Sequence, residues 1–151
     1  MSADSRTRRI LVVTDTAEPS PSLRDAIRHR ADAGDVKVRL VILNLARAEL
    51  HLLHPERHDK AEEAEQVLQA ALPQLEQAAG APVIGSVSVR HDAMDAIEEV
   101  VFSEPVDEIM IDVPSHHLST WLHQDLEHRL KHFHTPVVTI RHGSGDSRTV
   151  R

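Results

Sequence analysis

Cysteine is absent from the 151-residue chain, which excludes a disulfide framework, thiolate chemistry and any cysteine-ligated metal site. Aromatic residues are nearly absent too: one Trp, two Phe and no Tyr. Bases of single-stranded nucleic acid stack on aromatic platforms, and none can be assembled from so few rings. Positive charge is in deficit, with 17 Lys and Arg against 24 Asp and Glu and a formal net charge of −7. Nucleic-acid affinity comes largely from phosphate neutralisation, so nucleic acid is not expected as a partner. No apolar run approaches the ~20 residues that span a bilayer. The opening MSADSRTRR is polar and runs straight into a strand, unlike an apolar signal segment. These absences set the expectation of a cytoplasmic protein with no membrane partner and no cofactor.

What is present is one domain's worth of alternating strands and helices, the pattern of a parallel sheet covered on both faces. The first strand reads Ile10-Leu11-Val12-Val13-Thr14-Asp15, a continuous apolar run of the doubly buried kind. Ser20-Pro21 then supplies an N-cap and a proline at the first helical position. Leu23, Ala26, Ile27 and Ala31 form the stripe of that helix, which Gly34 ends. A second strand is expected over 36–45, followed by a long helix ending near Gly80, with the stripe Ala64, Val67, Leu68, Ala71, Leu75 and Ala78. Pro73 lies inside that stripe and should kink or split the helix. The third strand, 83–89, alternates apolar and polar residues and suits a sheet edge. Asp92 caps a helix bearing Met94, Ile97, Val100 and Val101, and the fourth strand is Glu108-Ile109-Met110-Ile111-Asp112. A last helix carries Leu118, Leu122, Leu126, Leu130 and Phe133 and breaks at Thr135-Pro136 before a fifth strand over 137–141. Residues 1–8 and 143–151 are expected to be disordered tails around a single domain over 9–142.

Over residues 8–142 this succession resembles the universal stress protein family. The resemblance is carried by the opening strand ending in Asp15, the aliphatic fourth strand, and the final helix closing into Thr135-Pro136-Val137-Val138-Thr139-Ile140. It implies a three-layer α/β/α, Rossmann-like sandwich with a five-stranded parallel sheet of order 3-2-1-4-5. It also implies a homodimer built through the last strand, with Val138, Thr139 and Ile140 at the interface. Nucleotide-binding members carry a signature after the fourth strand, G-x-x-G and then, beyond a spacer, G-[ST]. Glycine lets backbone N–H groups approach phosphates at a helix N-terminus. The matching stretch here, residues 112–125, contains no glycine, and His123 and Gln124 stand where the family has Gly and Ser or Thr. Pro114 removes a further backbone donor. The implied function is a regulatory or stress-response module that does not bind ATP. The alternative is an AMP or ATP sensor using the pocket at the carboxyl ends of the first and fourth strands.

Candidate ligand contacts follow from that geometry. Thr14 and Asp15 end the first strand, although Asp after a strand also starts turns. Asn44 ends the second. Ser115, His116, His117, Ser119 and Thr120 form a polar run into the last helix, read either as a small-anion site or as plain helix capping. Among the twelve histidines, His54 and His58, and His128 and His132, have helix-face spacing but no third ligand at a recognisable spacing, so no metal is expected. Protonating all twelve would carry the formal charge from −7 to +5, so the net charge should change steeply below about pH 7. A phosphorylation-controlled receiver domain shares the first strand but needs Asp and Lys at the ends of the third and fifth strands. Val89-Arg90-His91 and Ile140-Arg141-His142 stand there instead. No catalytic Ser/His/Asp or Glu/His arrangement can be assembled from spacing, so an enzyme is not expected. A further protein partner remains open.

Overall fold

The computed structural model describes residues 7–43, 57–88, 93–112 and 135–140. Short runs of branched aliphatic residues make five strands: β1 (Arg8–Thr14), β2 (Val36–Ile42), β3 (Val83–Val87), β4 (Glu108–Asp112) and β5 (Val137–Ile140). They pair in the order β3-β2-β1-β4-β5, every pair parallel, as expected from the sequence. The half-polar β3 lies at one edge and β5 at the other. Three helices are described: α1 (Pro21–Ala33), α2 (Arg57–Ala79) and α3 (Ala93–Ser103). The last expected helix lies outside the described residues, as do residues 1–6 and 141–151, which hold most of the two expected tails. β1 begins at Arg8, one residue before the expected domain boundary.

Alternate side chains of each strand feed two cores, one on each face of the sheet. Ile10, Val12, Val38, Leu40 and Ile42 pack on Leu23 and Ile27 of α1 and on Leu68, Ala71 and Leu75 of α2. Leu11, Val13, Val41, Ile109 and Ile111 pack on Ala96, Ile97 and Val100 of α3. Leu11, Leu40, Leu75 and Ile109 have no exposed surface, and burying each such side chain stabilises the fold by about 1.5–3 kcal/mol.

Local signals set the helix ends. The Leu23 N–H donates to Ser20 Oγ at 3.1 Å, and Pro21 follows this cap. α2 runs through Pro73 as one helix and is not split there. The missing N–H removes one bond, but Ala71 and Leu75 on either side are fully buried and hold both halves against the sheet. Gly80 ends α2 with φ +67°, its N–H reaching the Glu76 carbonyl at 2.8 Å. β2 and β3 stop at Ile42 and Val87, short of the expected 45 and 89.

Gly85 of β3 serves packing. A Cβ there would sit 2.5 Å from Leu68 Cδ1 and 2.9 Å from Leu72 Cδ2, so the bare backbone lets α2 approach β3. Leu68 is buried and has little room to swing aside. Gly85→Ala should therefore destabilise the protein by about 1–2 kcal/mol in urea unfolding. A change under about 0.5 kcal/mol would mean that the two leucines repack.

Candidate functional site

In an open parallel sheet the crevice forms at the carboxyl ends of the strands, where the chain order reverses. Here the reversal falls between β1 and β4. Thr14 and Asp112 end these strands as Cα partners in register, and both side chains are fully buried. Asp15, next along the chain, is half-buried at the start of the loop to α1.

The loop from Asp15 to Ser20 is held by internal hydrogen bonds. The Ser20 N–H donates to Asp112 Oδ2 at 3.1 Å, joining the start of α1 to the end of β4 across 92 residues. The Thr16 N–H donates to Thr14 Oγ1 at 3.3 Å, and Thr16 Oγ1 in turn accepts the Glu18 N–H at 3.2 Å. From α2, Gln74 Nε2 donates to the Ala17 carbonyl at 3.1 Å. Below them the Leu43 N–H meets the Thr14 carbonyl at 2.8 Å, and the Ser88 N–H meets the Ile42 carbonyl at 2.9 Å. The crevice thus has a polar floor whose backbone donors are engaged internally and whose central side chain is a carboxyl group. A phosphate gains most from free, convergent donors, whereas the N–H groups of Thr16, Glu18 and Ser20 are already engaged by protein oxygens.

Of the expected ligand contacts, the structure brings Thr14 beside Asp112 and leaves Asp15 next to them. Asn44, Ser115, His116, His117, Ser119 and Thr120 lie outside the described residues, as do His54, His58, His128 and His132. Among the described residues no group of three or more His, Asp or Glu could hold a metal ion. Asp112 and the backbone of Ser20 are the site residues that sequence reasoning missed. The available signal was an acid closing an otherwise aliphatic strand, just as Asp15 follows the first.

The sheet edge differs from expectation in one respect. Val138 and Ile140 are only 6% and 4% exposed, because their side chains belong to the core of the same chain. What β5 offers at the edge is backbone. The Ile109 N–H reaches the Pro136 carbonyl at 2.9 Å, and Ile109 and Ile111 are in register with Val137 and Thr139. In a parallel ladder this alternation turns the main-chain groups of Val138 and Ile140 toward β4 and those of Val137 and Thr139 outward.

A second polar cluster lies at the opposite, amino end of β4. Glu108 is buried and receives Arg30 Nε at 2.8 Å, Arg30 Nη2 at 2.6 Å and Arg8 Nη1 at 3.2 Å. It ties α1 to the sheet and is far along the strand from the crevice.

No protein-family model matches the sequence, and no curated protein matches it. Solved structures do. The universal stress protein from Archaeoglobus fulgidus, solved in complex with dAMP, superposes with a TM-score of 0.57 at 18% identity, over 87% of this chain and 96% of that one. The hypothetical protein PH0823 superposes with a TM-score of 0.55 at 24% identity, over 91% of this chain and 98% of its own. The chain has the fold of the universal stress proteins. Among the described residues no helix is long and apolar enough to cross a membrane.

Proposed function

We propose that this chain is a cytoplasmic, non-enzymatic module of the stress response that acts as a homodimer and does not bind ATP. One observation carries the reading on nucleotide. Asp112 opens the stretch that matches the glycine signature, and it is fully buried with its Oδ2 accepting the Ser20 N–H. A side chain locked in this way takes the place of the bare backbone that a phosphate needs. The sequence beyond it supplies no glycine through residue 125.

Losing several phosphate donors should cost several kcal/mol, and each ~1.4 kcal/mol is tenfold in affinity. Calorimetric titration with MgATP should therefore give no saturable heat at low micromolar ligand, and the purified protein should carry no nucleotide by mass spectrometry. A dissociation constant below ~10 μM, about −7 kcal/mol, would overturn the reading in favour of an AMP or ATP sensor. That second reading is kept because the archaeal protein of the same fold was solved with dAMP, and Thr14 and Asp15 would be its contacts here.

The dimer reading is supported by β5, an edge strand whose outward main-chain groups pair with no other strand among the described residues. Light scattering at micromolar protein should report twice the chain mass. Because Val138 and Ile140 sit in the core, an acidic residue at either would unfold the protomer before it tested the dimer. Thr139→Pro removes only an outward N–H, so it should shift the protein toward monomer while leaving the β4–β5 ladder in place. A wild-type monomer across that range would sink the proposal.

A further inference from the structure

The sheet face beneath α3 changes character along its length. At the carboxyl half, Leu11, Val13 and Val41 point into the core with α3. At the amino half, the same face of β1 and β2 presents Arg9, Lys37 and Arg39, whose alternation with Ile10, Val38 and Leu40 fixes their side. These three cations line a recess of about 150 Å³ together with Ile84 of β3 and Glu104 and Val106 from the segment between α3 and β4.

Arg9 and Lys37 are direct register partners, and Arg39 lies two residues beyond Lys37 on the same face. Like charges opposite one another in a sheet are destabilising, and the fold gains no packing from them, since Arg9 and Lys37 are exposed. Among the described residues Glu104 is the one acidic side chain that lines the recess, and its pairing with Arg39 is long at 3.8 Å between partly exposed groups. Asp107 stands at the rim with its Oδ2 accepting the Arg9 N–H at 2.8 Å. Arg39 Nη2 donates to Ser86 Oγ at a long 3.4 Å, and its enclosed Nε has no hydrogen-bond partner among the described residues. Ile84, 50% exposed, adds an apolar wall. In a chain of formal charge −7, this is a concentrated positive recess.

We propose that this recess binds a small organic polyanion, one bearing two or more carboxylate or phosphate groups on a short apolar body. The guanidinium of Arg39 takes one acidic group in a fork, Arg9 and Lys37 take the second, and the body rests on Ile84 and Val106. The site is at the amino ends of the strands, on the far side from Thr14 and Asp112, and it stands or falls independently of the proposed function.

The test uses citrate and inorganic phosphate as probes on the full-length protein, with ionic strength held constant by sodium chloride. Saturable amide shifts in nuclear magnetic resonance spectra, confined to residues 9–10, 37–39, 84, 104 and 106, are expected with citrate at millimolar concentration or below, and weaker ones with phosphate. Arg39→Gln and Lys37→Gln should each weaken citrate at least fivefold, while Arg28→Gln on the exposed side of α1 should leave it unchanged. Lys37→Gln should also raise the melting temperature without citrate and diminish the rise that citrate gives the wild type, which a merely structural lysine would not do. Shifts that do not saturate, that chloride reproduces, or that survive Arg39→Gln would overturn the site. Citrate binding that is lost in Arg39→Gln while MgATP binding persists would separate this recess from the crevice at Asp112.

Discussion

Replacing Glu108 with alanine should lower stability by about 2–4 kcal/mol. Breaking a buried ion pair by removing one partner leaves the other charge uncompensated, typically at a cost of 3–5 kcal/mol. Glu108 is 5% exposed in its side chain, and Arg30 grips both its oxygens, which is the strong, bidentate geometry. Arg30 keeps 23% of its side chain exposed, so the stranded guanidinium recovers some hydration and the cost falls below the upper figure. Arg8, at 54% exposed, adds little through its own 3.2 Å contact. Urea unfolding of Glu108→Ala should show the loss, and 0.5 M sodium chloride should hardly reduce the wild type's advantage, since buried pairs are poorly screened. The double variant Arg30→Met with Glu108→Leu should recover much of the loss, because the cost lies in isolating a charge and not in lacking a pair. A single-variant loss below about 1 kcal/mol would show that water reaches this end of the strand freely.

That cluster also marks where sequence reasoning reaches its limit. Glu108 opens a strand of four further residues, and nothing in the string says whether the acid meets solvent or Arg30, 78 positions earlier. Local signals were legible because they act over a few residues. The Ser20-Pro21 cap, the stripe from Ala64 to Ala78 and the glycine stop at Gly80 are all found where expected. Strand order followed from the resemblance, and the half-polar β3 does lie at the edge. Less was legible where the two faces of one strand differ. The expected strand over 36–45 did not reveal that Lys37-Val38-Arg39-Leu40 turns one row into the core and the other into an open basic recess. The resemblance implied an interface at Val138 and Ile140, and the strand pattern alone did not reveal that their side chains also belong to the core of their own chain. In the crevice, Thr14 and Asp15 were legible from strand position alone. The role of Asp112 needed the loop to fold back, because its partner is a backbone N–H that no side-chain pattern reveals.

The second large effect is expected at that residue. Asp112→Ala should cost about 2–4 kcal/mol, since the Ser20 N–H would be buried without this acceptor and a fully enclosed side chain would leave a void. Ser20 also caps α1 through its Oγ, so loosening its backbone should weaken the start of that helix. Amide exchange should accelerate first at Ser20 and Leu23. Asp112→Asn keeps a carbonyl acceptor of nearly the same shape and should lose less than about 1.5 kcal/mol, which makes it the informative variant for ligand chemistry. It removes the acid from the crevice while preserving the loop. If Asp112 alone kept nucleotides out, the asparagine variant would gain MgATP binding by calorimetry. The expected result is a folded protein that still does not bind, because the stretch from 112 to 125 lacks the glycines that bring backbone donors to a phosphate. Binding in the asparagine variant at ~10 μM or tighter would instead mean that a competent phosphate site lies behind one carboxyl group.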